Sequence, residues 1–367
     1  MTKKQSIRAF LFVLFTLLLI WWLDHTFRAY PSEQNIRISR RFQEMYTDKE
    51  NTWDGIIVGS SNGDRAWAAP LAWEEYGMTL YPMTVDGNAF ALIPNVIEEV
   101  LKRQDLSYVL VELHGLSDAN IQPDPSRIRW VTDQLKRSAN WLDAIDKGMD
   151  YLEKYAPETI PGGDSHMFRL SLYLPFLQFH SRVTSDELTA EDIFYGQTDM
   201  KGVFDAKWSY YTRHETLTAN ENTPDASEQQ KELLDELFAY CEKKDLQLLF
   251  FNVKTNLDDE TEESINAAAS YCEEHGYSVL NLNDSICLQE SGLNGDEDYY
   301  DRNHLNARGA RKFTEYLSAW LQEELEIADH RQEEGYESWE EAAQNYDRWY
   351  EETLAKTIAW AKKHPDE

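Results

Sequence analysis

The chain has 367 residues, of which 42% are hydrophobic and 13% aromatic, enough to bury a sizeable core and to exclude wholesale disorder. Its 66 acidic residues outnumber 35 basic ones, for a formal net charge of −31. Such a field repels phosphate backbones and anionic headgroups and argues against a nucleic-acid or peripheral-membrane role. Three cysteines, Cys241, Cys272 and Cys287, are too few and too widely spaced for a disulfide framework. They lack C-x-x-C metal spacing and read as half-buried thiols.

Lys3, Lys4 and Arg8 precede an apolar run from Ala9 to Leu23 that only Thr16 interrupts. This run suits a transmembrane signal anchor over residues 9–23 behind a cytoplasmic tail, 1–8. Trp21 and Trp22 close it with indoles that prefer the membrane interface, and residues 24–30 offer no small-x-small cleavage site. The positive-inside rule then exports everything beyond Leu23.

Residues 24–50 are polar and charged and read as a stalk with a helical stretch. Beyond them, short apolar runs alternate with amphipathic helices. Gly55–Val58, Met78–Thr84, Tyr108–Leu113, Leu246–Val253 and Ser278–Leu282 read as buried strands. Ala89–Lys102, Ser227–Lys243, Glu260–His275 and Asn306–Leu325 carry a helical period. The alternation predicts an α/β domain over 51–325, with a parallel sheet covered on both faces and ligands beyond the carboxyl ends of its strands. Residues 117–215 form an insertion too long for an unstructured loop and read as a lid or substrate platform. The acidic, aromatic tail 326–367 predicts one or two helices docking an aromatic stripe.

Two constellations carry chemistry. Gly59-Ser60-Ser61-Asn62-Gly63 follows the first strand, where a serine can expose its hydroxyl beside helix N-terminal amides. Tyr300-Asp301-Arg302-Asn303-His304-Leu305-Asn306 precedes the last helix. There Asp301 can accept the Nδ1 proton of His304 and leave Nε2 free as a general base for a serine. The acidic run Asp296-Glu297-Asp298 reads as solvated surface. Gly59-x-Ser61-x-Gly63 also fits the α/β-hydrolase nucleophile elbow, although Asp and His then stand on one loop and not on two.

In these residues the chain resembles the SGNH/GDSL hydrolase superfamily over roughly Gly55 to Leu325. Ser61 matches the family's nucleophile, and "DRNHLNARGARKF" matches its Asp-x-x-His block with Asp301 and His304. Gly87 in "YPMTVDGNAF" matches the oxyanion-hole glycine. The resemblance implies a three-layer α/β/α sandwich with a parallel sheet (SGNH/flavodoxin-like), plus the one N-terminal transmembrane helix. The family's Gly-x-Asn-Asp block is replaced by Val111-Glu112-Leu113-His114-Gly115, so an oxyanion donor must come from elsewhere, with Asn88 and Asn62 as candidates.

The missing asparagine, the anchor and the Gly-Ser-Ser start resemble the membrane-anchored SGNH proteins of cell-wall D-alanylation and exopolysaccharide O-acetylation. That branch implies a bacterial cell-membrane protein with an extracytoplasmic domain, working beside a membrane-bound O-acyltransferase on a cell-wall or extracellular polysaccharide. Ser61, Asp301 and His304 would be catalytic, and Ser61, Gly87 and Asn88 would form the oxyanion hole. His114, His180 and Arg182 would touch substrate, the last two within "LPFLQFHSR". The activity implied is that of a serine esterase or O-acyltransferase without metal or organic cofactor. A different class is also open: a non-catalytic scaffold that binds polymer or the acyltransferase.

Overall fold

The N-terminal apolar run lies within helix α1 (Lys3–Thr26), which starts from a capping box between Thr2 and Gln5. Its stretch Lys3–Asp24 spans 22 residues, within which an 18-residue window reaches a mean hydropathy of 2.1. At about 1.5 Å per residue it is long enough to cross the roughly 30 Å hydrocarbon layer of a bilayer. The computed structural model describes residues 2–27, 36–87, 89–179, 200–202, 216–255 and 257–363.

Helix α2 (Ile36–Thr47) corrects the expected stalk. Ile38, Phe42 and Met45 recur at helical spacing and are buried in the main core, so this segment belongs to the domain. Arg41 on the same helix is fully buried. Its Nη1 donates to the Thr84 carbonyl at 3.0 Å, and its guanidinium pairs with Asp64. A charged segment reads as solvated in sequence; here partners far along the chain satisfy the charge.

Five strands follow: β1 (Gly55–Val58), β2 (Leu80–Pro82), β3 (Tyr108–Glu112), β4 (Gln247–Asn252) and β5 (Val279–Asn281). They form one parallel sheet in the order β2-β1-β3-β4-β5. Every residue of β1 and β3 is buried, so both faces of the sheet centre are covered. β2 is shorter than expected; its last paired residue is Pro82, which has no amide to donate. The chain leaves β1 in one direction to β2 and returns past it to β3. The carboxyl ends of β1 and β3 therefore flank the point where strand order reverses.

Between β1 and β2 run α3 (Ser61–Ala66) and α4 (Ala69–Tyr76), and α5 (Ile93–Val100) joins β2 to β3. The described part of the insertion is helical: α6 (Pro125–Thr132), α7 (Ala139–Tyr155), α8 (Ser165–Tyr173) and α9 (Phe176–Phe179). Asp124, Ser138 and Asp164 cap the first three through their side chains. Then come α10 (Glu228–Lys243), α11 (Asp259–Glu274), α12 (Ser285–Ser291), α13 (Ala307–Glu324) and α14 (Glu337–Lys363). Cys241 and Cys272, expected half-buried, are fully buried on α10 and α11; only Cys287 is partly exposed.

The tail docks on its own domain as the single helix α14, which packs along α4. Trp339 and Tyr346, seven residues apart, are both buried, and Trp73 of α4 donates its indole N–H to Glu340 at 3.3 Å. Ahead of α14, His330 faces Glu333 at 2.9 Å and Asp54 at 2.8 Å and stacks on Tyr336. Burial works against its charge, but Glu333 and Asp54 outweigh that and raise its pKa above the ordinary histidine value. The stability this contributes is full below about pH 6.5 and is lost as pH rises through the raised folded value. The melting-temperature advantage over His330→Gln should therefore shrink as pH rises from about 6 to about 9, and thermal scans of both proteins across that window check it. An advantage that does not change with pH counts against the charged latch.

Candidate active site

The turn after β1 is built around Gly59, whose φ of +141° lies where side chains are rarely accommodated. A Cβ there would also come within 2.6 Å of the Glu112 Cβ. Ser60 then caps α3, its Oγ accepting from the Asn62 amide at 3.2 Å. Ser61 becomes the first residue of α3, at the carboxyl edge of the sheet.

The other half of the site comes from a loop fixed at both ends. Asn306 caps α13 by accepting from the amides of Arg308 and Gly309, each at 3.0 Å, and its own amide donates to the Asp298 carbonyl at 2.9 Å. Asp298, expected on the solvated surface, is fully buried. It accepts from Lys312 at 2.6 Å and from the Asn294 amide at 2.8 Å. Its charge anchors the loop that carries Asp301 and His304. Tyr299 donates its hydroxyl to the Lys254 carbonyl beyond β4 at 2.7 Å, tying the loop to the strand ends.

These segments bring Ser61, Asp301 and His304 together. Ser61 Oγ lies 2.8 Å from His304 Nε2, and His304 Nδ1 lies 2.9 Å from Asp301 Oδ2. Burial alone would raise the Asp301 pKa, but hydrogen bonds from the His304 ring and the amides of Asn303 and His304 bring it below the ordinary value. An ionised Asp301 only accepts, so the His304 proton belongs on Nδ1 and Nε2 accepts from the Ser61 hydroxyl. Tyr300 stacks on the His304 ring, with 5.4 Å between centroids and 9° between planes, and Arg65 lies over the other ring of the pair, Tyr300, at 5.5 Å.

Glu112, at the end of β3, is the residue that sequence reasoning passed over. Its Oε2 accepts from the Ser60 amide at 2.9 Å and the Ser60 hydroxyl at 2.7 Å, and its Oε1 accepts from the His114 amide at 2.6 Å. Burial raises its pKa, although those donors and the nearby His304 charge pull the other way. The signal was present: a single acid closes the otherwise apolar Tyr108-Val109-Leu110-Val111, at the edge of the sheet where ligands bind.

His114 is buried beside the site, with Nε2 at 3.0 Å from the Asn120 side-chain amide. Burial, with a smaller effect of the His304 charge, pushes its pKa down to about 4, so it is neutral at pH 7. Asn62 is buried on α3, and its side-chain amide has no hydrogen-bond partner among the described residues. Gly87 adopts a left-handed φ of +67° in the loop after β2, next to Asp86, which Arg37 of α2 holds at 2.5 Å. Asn88, His180 and Arg182 lie outside the described residues. Among the described residues no group of three or more His, Cys, Asp or Glu is gathered to hold a metal ion. No protein-family model matches the chain, and no curated protein matches it either.

Proposed function

We propose that the chain is a membrane-anchored serine acyl-transfer enzyme of the SGNH type, its domain a three-layer α/β/α sandwich. The observation that carries this reading is the 2.8 Å contact between Ser61 and His304, with Asp301 at 2.9 Å behind the ring. Residues 243 positions apart in sequence converge in the order and orientation that nucleophilic catalysis requires. In the first step the Ser61 oxygen attacks an ester carbonyl while its proton passes to His304 Nε2. The imidazolium then returns that proton to the departing alcohol, leaving an acyl group on Ser61. A sugar hydroxyl or water, its proton taken by His304, attacks the acyl carbon; the bond to Ser61 Oγ breaks, the imidazolium returns the proton to that oxygen, and the acylated sugar or the free acid leaves. The amides of Ser61 and Gly87 would steady the tetrahedral oxyanions.

Lys3, Lys4 and Arg8 ahead of α1 support an extracytoplasmic domain. With the resemblances of the Gly-Ser-Ser turn and the Asp301–His304 block, they support acylation or deacylation of a bacterial envelope glycan beside a membrane-bound O-acyltransferase. One observation favours the scaffold reading: Glu112, turned into the Ser60 turn, replaces the family's oxyanion-hole asparagine. Both readings are tested by the acyl content of the glycan in a deletion strain complemented with Ser61→Ala. Loss of the acyl change at an unchanged membrane level of protein is expected. Full complementation by Ser61→Ala would make the chain a binding component.

A further inference from the structure

Arg127, at the third position of α6, departs from the pattern set by its neighbours. Arg37, Arg41 and Arg65 each pair with Asp64, and Arg129 pairs with Asp133. Arg127 donates Nη1 to the Asn120 carbonyl at 3.1 Å and has no ion-pair partner among the described residues. Asp124, whose charge acts on it, is engaged in capping, accepting from the amides of Ser126 at 2.7 Å and Arg127 at 3.2 Å. In a chain with 66 acidic residues against 35 basic ones, a half-buried arginine with no ion pair among the described residues is costly and selective. Burial accordingly works against its charge and lowers its pKa.

Its position ties it to the Ser61 centre. The side chain lies so close over Gly87 that a Cβ there would sit 2.8 Å from Arg127 Nε. Through Asn120, which contacts His114 at 3.0 Å, it continues the wall that reaches the field of His304. Arg127 also lines a small cavity of about 20 Å³ with Phe90, Ile121 and Tyr151, which places apolar surface beside the cation.

We infer that Arg127 is the receptor for a negatively charged group of the ligand, a carboxylate or a phosphate, bound beside Gly87 while the ester reaches Ser61. The planar guanidinium matches either oxyanion, and its remaining N–H groups are the donors left to meet one. The Arg127 cation also offsets the repulsion that a net charge of −31 imposes on an anionic ligand. The ester part of this inference rests on the proposed function; the anion site does not.

The test uses the full chain in detergent micelles and two fluorophosphonate reagents of equal length, one ending in a carboxylate and the other in its methyl ester. A charged hydrogen-bonded contact predicts that the carboxylate reagent labels Ser61 about tenfold faster than the ester or more, a preference weakened by salt. Arg127→Gln should abolish that preference and Arg127→Lys should keep part of it, with thermal scans confirming that both variants fold. Competition by inorganic phosphate against acetate distinguishes the two oxyanions. A rate ratio unchanged in Arg127→Gln overturns the inference. If neither reagent labels Ser61, the acyl-transfer reading fails instead, and calorimetric titration with inorganic phosphate decides the anion site. Heat of binding lost in Arg127→Gln supports it, and binding that is absent or unchanged overturns it.

Discussion

Asp301→Asn is expected to slow acylation of Ser61 on the order of 10⁴-fold, although the loop should keep its shape. The asparagine Oδ1 can still accept from the amides of Asn303 at 2.8 Å and His304 at 2.9 Å, as Asp301 Oδ1 does. The amide nitrogen then replaces Oδ2, 2.9 Å from His304 Nδ1, and presents a donor there, while Oδ1, 3.0 Å from the same nitrogen, is already shared by the two amides. The ring responds by carrying its proton on Nε2, which faces Ser61 Oγ at 2.8 Å and can no longer take the hydroxyl proton. His304→Ala should lose nearly as much as Ser61→Ala, because the residues act as one unit. Rates of fluorophosphonate labelling of the purified full chain check all three variants. A loss below tenfold in Asp301→Asn would mean that the carboxylate does not set the tautomer.

The parts legible in sequence were those specified by local pattern. The apolar runs of β1, β3 and β4 announce strands buried on both faces, and the Asp301–His304 spacing announces a side-chain pair on one loop. Their meeting with Ser61 followed from where each block stands relative to the strands. The parts that were not legible depend on partners distant along the chain. Arg41 reads as a surface charge until Asp64 and the Thr84 carbonyl are seen to surround it. Asp298 reads as one of three solvated acids until Lys312 and the Asn294 amide are found on it. The tail could be read as one helix or two, because its aromatic spacing is helical throughout but does not fix where α14 begins. Glu112 belongs with these residues. Its value lies in what it accepts from a turn 52 residues earlier.

Glu112→Ala should accordingly be among the most damaging single changes in the domain. It strips acceptors from the Ser60 amide, the Ser60 hydroxyl and the His114 amide, all enclosed at the end of β3. Each buried donor left unpaired costs about 1–3 kcal/mol, so a loss of roughly 3–5 kcal/mol is expected once partial relaxation is allowed. Glu112→Gln separates charge from shape. Its single carbonyl oxygen can serve either the His114 amide or the Ser60 amide, and its NH2 group must then oppose the other. The Ser60 hydroxyl can rotate to accept from that NH2, but a backbone amide cannot, so one donor–donor contact remains and about 1–3 kcal/mol should be lost. Because the Ser60 amide stands one residue before Ser61, the proposed nucleophile, both variants should also slow labelling of Ser61, and Gln should do so while the domain is still folded. Urea unfolding of the two variants beside the parent, with labelling rates at low urea, checks the order Ala worse than Gln worse than Glu. Full stability and full labelling in Glu112→Gln would show that the carboxylate merely fills space behind the turn.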